Sequence, residues 1–364
     1  MVYYSGYDLA VVEAVTVRPS PSQDSNFNRR ANVDHLSLRL ETQQSPVADE
    51  VSAITSVVRP ILTGLLLAQK ADIVNEAGGH EKLKLKMLPR VYREGDGDCG
   101  ICFEYAVHSA VLHKDPMVLE RVHDALAKHC KLPGEAPSSM LFAAEKAGVN
   151  QLVDTSLALL TADSQLMYGT QGRPVKLKKH LRNVADAFRK RKNPPNLPQS
   201  IAGLWKADLF LGMSDLDKWV GTSVKINPSQ LESARGLRVG IVPSKQGASD
   251  LPYKDDSKNM IVCPLKHDGD FMEVFYSGWQ VIRSFLKADA NVPKEVNLPQ
   301  PALRQVARYL ADRREYPVLD VVAALEDFAQ PHLLATSERS ADLVKTRDGQ
   351  VEVSTVVAPV PKSV

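Results

Sequence analysis

Two apolar runs flanking a short polar turn constrain this chain more than any other feature of its sequence. Trp205 to Met213 and Trp219 to Asn227 are joined by Ser214 to Lys218. Both runs are rich in leucine, β-branched and aromatic residues, so they read as adjacent strands of a hairpin. Gly236 to Pro243 and Asn259 to Pro264 read as further strands. Helical spacing of apolar residues appears from Val47 to Glu76, with an interruption expected at Pro60 and a stop at Gly78 and Gly79. After a turn at Glu94 to Asp98, helices are predicted for Ile101 to His113, Pro116 to Lys131, Ser138 to Ala147, Phe271 to Lys287, Pro301 to Arg314 and Val318 to Ala329. Val11 to Val17 reads as a strand and Pro19 to Asn32 as a loop. The polar tail from Ser337 is expected to be mobile.

With 364 residues there is room for two domains, or for one domain carrying a large insertion. Hydrophobic residues at 44% and charged residues at 24% supply a sizeable core, which excludes a wholly disordered chain. Gly and Pro recur without a period, which excludes collagen-like and repeat architectures. Four scattered cysteines are too few for a disulfide scaffold and suit a reducing, cytoplasmic setting. Met1 to Ala14 lacks the charged and apolar regions of a signal peptide. The most apolar stretch, Val57 to Ala68, contains Arg59 and Pro60 and falls short of the ~20 residues of a membrane span.

The net charge of +2 hides a local asymmetry. Arg173 to Lys192 holds nine Lys and Arg against Asp186 alone, a local +8, so the rest of the chain carries −6. Leu177, Leu181, Val184, Ala185 and Phe188 recur at helical spacing from Lys176 to Lys192, with basic residues on the other faces. Such a helix can lie along a phosphate backbone, and Lys176, Lys178, Lys179, Arg182, Arg189 and Lys190 are the candidate nucleic-acid contacts. A solvated basic helix packed on the acidic remainder of the protein is the competing reading. The apolar face lacks the aromatic cluster of a membrane-surface helix.

The hairpin carries the chemistry. Asp208 lies on the first strand, and Ser223 and Lys225 share one face of the second because strand side chains alternate. Upstream, Glu104 lies in the first turns of a predicted helix. Gly100-Ile-Cys-Phe-Glu-Tyr-Ala-Val107, Lys206-Ala-Asp208 and Thr222-Ser-Val-Lys225 together resemble the PD-(D/E)XK nuclease superfamily. The resemblance covers the Ile101 helix and roughly Leu204 to Lys287. It implies an α/β fold with a mixed central sheet flanked by helices, the restriction-endonuclease-like core. It also implies Mg²⁺- or Mn²⁺-dependent hydrolysis of phosphodiesters, DNA foremost, as such domains commonly perform in prokaryotic defence and restriction. Asp208 would be the central metal ligand, Glu104 the second and the Val224 carbonyl the third, while Lys225 orients water and stabilises charge on the attacked phosphate. On this reading the domains are an N-terminal region at 1–93, a core at 94–290 with a helical insertion at about 114–200, C-terminal helices at 291–336 and the tail at 337–364. A homo-oligomer or an activating partner protein remains compatible with it.

The motif departs from the family where Ser223 replaces the acid two residues before the lysine, and a hydroxyl is a poorer Mg²⁺ ligand than a carboxylate. If that leaves the site degenerate, the protein is a non-catalytic nucleic-acid binder. Register is a second test. A hairpin symmetric about Leu216 pairs Asp208 with Val224 and turns Asp208 away from Lys225, so the site requires Asp208 opposite Ser223 or Lys225.

Asp98-Cys-Gly-Ile-Cys-Phe103 also resembles the nucleophile region of papain-like cysteine peptidases, with Cys102 at a helix start and His267 as base. Against it, Phe103-Glu104 stands where that family has Trp-Ala, and an acid so close opposes thiolate formation. A zinc site from Cys99, Cys102, His129 and Cys130 is a further alternative. The plainer expectation is that Cys102, Cys130 and Cys263 are small buried hydrophobes.

Overall fold

The computed structural model describes residues 46–142, 156–167, 174–182, 207–233, 238–329, 341–346 and 349–354. The chain divides into two compact units, Pro46–Gln330 and a second one formed by Met1–Ser45 with Pro331–Val364. The boundary expected near residue 93 is therefore not where the units divide. The strand and loop expected at Val11–Val17 and Pro19–Asn32 lie outside the described residues.

In the larger unit, helices α1 (Pro46–Leu67), α2 (Ala71–Ala77), α3 (Asp96–Leu112) and α4 (Pro116–Asp124) precede strand β1 (Pro137–Leu141). Two-residue strands β2 (Gln165–Leu166) and β3 (Val175–Lys176) follow. Next come β4 (Leu209–Met213), β5 (Lys218–Val224), β6 (Arg238–Pro243), β7 (Tyr253–Asp255) and β8 (Met260–Leu265). Helices α5 (Asp270–Lys287), α6 (Pro301–Asp312) and α7 (Val318–Phe328) close the unit.

The sheet runs β1-β4-β5-β6-β8-β7, with β2 beside the start of β5 and β3 beside β2. β1, β4 and β5 are antiparallel neighbours in turn, whereas β5, β6 and β8 run parallel. The fold is thus α/β with a mixed central sheet flanked by helices. Every residue of β4, β6 and β8 is buried, which explains their near-continuous apolar runs. Ser139 and Met140 on β1 point to opposite faces. Ser139 meets His108 of α3, and Met140 joins Phe142, Leu166, Leu177, Leu181 and Trp219 in a separate apolar cluster.

Several expectations need correction. α1 runs unbroken through Pro60, and the break comes at Ala68–Lys70. Proline removes one backbone donor, but packing against α3, α5, α6 and α7 holds the helix together through that loss. α1 is also long and apolar enough to cross a membrane, unlike the shorter stretch read from the sequence, yet most of it is buried inside the protein as a core helix. α3 begins at Asp96, inside the expected turn. The predicted Ser138 helix is the edge strand β1, because its backbone pairs with β4 from Pro137 opposite Met213 to Leu141 opposite Leu209. The expected helical insertion therefore contributes strands β1, β2 and β3 to the sheet. β7, missed in the sequence, pairs antiparallel with β8.

In the second unit, the expected mobile tail contains a hairpin of β9 (Ala341–Thr346) and β10 (Gly349–Ser354), with Thr346 opposite Gly349. An Asp-Gly step at the head of β10 is the hairpin signal that the polar composition obscured.

Candidate functional site

Three separate elements converge on Lys225. Asp208 immediately precedes β4, where its own N–H donates to the Thr222 carbonyl at 2.9 Å and its carbonyl accepts from Phe142 N–H at 2.9 Å. Both neighbouring strands thus clamp its backbone. Lys225 immediately follows β5, and its N–H donates to the Ile241 carbonyl of β6 at 3.0 Å. Glu104 comes from α3, which packs on α1, β1 and β5. That helix is seated by Phe103, whose ring meets Phe275 edge-on at 5.1 Å, and by the His108–Ser139 hydrogen bond at 2.9 Å.

The register resolves the hairpin in favour of a site. Leu209 lies opposite Thr222 and Phe210 opposite Gly221, so the next step sets Asp208 opposite Ser223. Lys225 Nζ donates to Asp208 Oδ2 at 2.8 Å and to Glu104 Oε1 at 3.3 Å. The Val224 N–H donates to the same Asp208 oxygen at 2.9 Å. The Glu104 side chain is 1% exposed and that of Asp208 9%, while Lys225 at 25% opens to solvent. Burial pulls the Lys225 pKa down, but the adjacent Asp208 and Glu104 outweigh it and the net movement is upward. Lys225 is therefore a firmly protonated donor.

Glu104, Asp208, Ser223, Val224 and Lys225 all fall in this one locality, with Ser223 buried on the strand facing Asp208. One residue was missed. Arg238, at the start of β6, is buried, and the charge of Asp208 acts on it. Its signal in the sequence is a single cation inside an apolar strand run, since a charge is rarely buried without a partner.

The donor chemistry suits a hard divalent cation. Two carboxylates from different elements meet at one point with a backbone carbonyl next in sequence, and Mg²⁺ is commonly held by one or two carboxylates plus water and phosphate oxygens. Among the described residues no three His, Cys, Asp or Glu side chains gather into a metal-binding group, so a closed all-protein cage is not what this site offers.

The basic segment is described up to Arg182. Val175 and Lys176 form β3 rather than helix, and a helix spans 177–182. Leu177 and Leu181 are buried against the sheet cluster, as their spacing predicts. Lys176 is exposed and pairs with Asp163 at 3.5 Å, and Lys178 donates to the Leu160 carbonyl at 2.6 Å. Lys179 and Arg182 are exposed, while Arg189 and Lys190 lie outside the described residues.

The cysteine alternatives do not find their geometry. Cys102 is fully buried with its Sγ 3.9 Å from the Ile61 carbonyl, and burial first, then Cys99, Asp98 and Glu104, push its thiol well above the usual range. A protonated, inaccessible thiol is no nucleophile. Cys130 sits near Cys263 instead of joining Cys99 and Cys102 around a zinc ion, and burial raises both thiols to about 12. Compared with family models, curated proteins and solved structures, the chain matches none.

Proposed function

We propose that this protein is a metal-dependent nuclease with a restriction-endonuclease-like core, hydrolysing phosphodiester bonds in nucleic acid, DNA foremost. The observation that carries the reading is the bridging of Asp208 and Glu104 by the Lys225 ammonium, from three elements far apart in sequence. Asp208 and Glu104 would hold Mg²⁺ or Mn²⁺, with the Val224 carbonyl as a third oxygen. Bound there, the cation neutralises charge on the phosphodiester and lowers the pKa of a coordinated water.

The chain's own residues then have separable tasks. Lys225 is protonated and partly exposed, so it donates to a phosphate oxygen and stabilises its growing charge rather than abstracting a proton. Its flexible stem lets it move from the carboxylates to the phosphate while its backbone stays pinned to β6. The Val224 N–H fixes the Asp208 carboxylate in orientation. Lys179 and Arg182, exposed on the basic helix, supply phosphate contacts without base readout.

Cleavage of supercoiled plasmid tests this. The wild type is expected to nick or linearise plasmid with Mg²⁺ and to stop with EDTA. Lys225→Ala and Asp208→Ala should each lose about 10²–10³ in rate or more while plasmid affinity at fixed salt stays nearly constant. Cys102→Ser should cleave normally. Wild-type binding without any cleavage would leave the non-catalytic nucleic-acid binder as the reading, which Ser223 in place of an acid favours. Normal cleavage by Lys225→Ala would place the chemistry elsewhere.

A further inference from the structure

The site contains a second cation that no part of the nuclease reading uses. Arg238 is 4% exposed and pairs with Gly221 in the parallel β5–β6 ladder, two residues before Ser223. Paired residues on adjacent strands project to the same face, so Arg238 shares the face of Ser223, the residue opposite Asp208. Gly221 places no side chain between them. Burial lowers the Arg238 pKa, and Asp208 and Glu232 oppose that fall. A guanidinium keeps its proton throughout the working range, so this is a permanent charge.

Two carboxylates, Glu104 and Asp208, therefore face two cations, Lys225 and Arg238. The two cations differ in freedom. Lys225 is partly exposed on a flexible stem and can swing aside. Arg238 is enclosed within the sheet and must stay. We propose that Arg238 is a positioning charge of this site, one that holds its affinity for divalent cations down until a phosphate anion arrives. The proposal rests on the reading that Asp208 and Glu104 take Mg²⁺ or Mn²⁺. A buried charge is screened far less than a surface one, so its effect on an incoming cation persists at ordinary salt.

Calorimetric titration of Mg²⁺ into the full chain, without nucleic acid, reads this directly. Arg238→Met removes the charge and keeps much of the volume, and it should bind Mg²⁺ about tenfold more tightly than the wild type. Arg238→Lys should restore wild-type affinity. Glu232 is exposed, so Glu232→Gln keeps the fold even if Arg238→Met does not. Losing the charge that offsets Arg238 should weaken Mg²⁺ binding about threefold. Asp256→Asn, an exposed acid beyond β7, should change nothing. Folded Arg238→Met with unchanged or weaker Mg²⁺ binding overturns the proposal, as does wild-type affinity in Glu232→Gln. If neither the wild type nor Arg238→Met takes up Mg²⁺, the metal-site reading itself falls. If the wild type binds Mg²⁺ and Arg238→Met binds it equally, only the role of Arg238 falls.

Discussion

His108 lies one helical turn beyond Glu104 and ties α3 to β1 through Ser139. Burial, with a smaller contribution from His113, lowers its pKa from 6.5 to about 4. The unfolded chain thus takes up a proton near pH 6.5 that the folded protein refuses until about pH 4. Stability should be unaffected above that window and fall within it as pH drops, by up to about 3 kcal/mol. Denaturant melts at about pH 7.5 and about pH 5 should show a smaller acid loss for His108→Gln than for the wild type. Equal losses would show that His108 titrates as it does in water. At this same scale Glu104, Asp208 and Lys225 were legible, because acids and a lysine at motif spacing leave a mark in sequence. Cys102 was misleading as a nucleophile candidate. Its helix-start position suggests activation, and only packing against α1 shows that it has no access to solvent.

At the scale of elements, the β4–β5 register is what assembles the site, and Gly212 protects it. A Cβ at Gly212 would collide with the Lys218 carbonyl oxygen and come within 2.8 Å of the Trp219 ring. Backbone cannot yield as a side-chain tip can, so Gly212→Ala should cost about 1–3 kcal/mol and lower plasmid cleavage with it. Gly221→Ala is the control, since its Cβ would meet Ala207 at an ordinary 3.8 Å. Thermal melts of the two variants check the contrast, and equal midpoints would refute it. The turn joining these strands is held as well. Asp217 accepts from Thr161 Oγ1 at 2.6 Å, Ser164 Oγ at 2.9 Å and Trp219 Nε1 at 3.0 Å. Removing the acceptor in Asp217→Ala should destabilise the protein by about 1–3 kcal/mol, again read in the melting midpoint.

For the whole molecule the outstanding feature is charge, since one basic segment stands against an acidic remainder. Lys178 is engaged with Leu160, so the exposed Lys179 and Arg182 carry the test. Reversing both to Glu should weaken nucleic-acid binding. The slope of log K against log salt should flatten by about 0.9 for every duplex-DNA phosphate that the helix no longer neutralises. An unchanged slope would assign this helix to a purely structural role.

The sequence by itself determined the strong elements and the chemical inventory. α5, α6, α7 and β4 to β6 with β8 fell close to where periodicity and apolar runs placed them, because each buries a face its own pattern defines. Three of the charged site residues were visible for the same local reason. Only the tertiary structure decided the rest. β1 is a strand because the edge of β4 offers it a ladder, which outweighs its local helical spacing. α1 passes through Pro60 because four helices enclose it. The one-residue offset that sets Asp208 opposite Ser223 depends on how β4 and β5 pair, and a symmetric turn would have predicted the other face. Arg238 acts on Asp208 because β6 docks parallel beside β5, a neighbourhood that no spacing along the chain encodes.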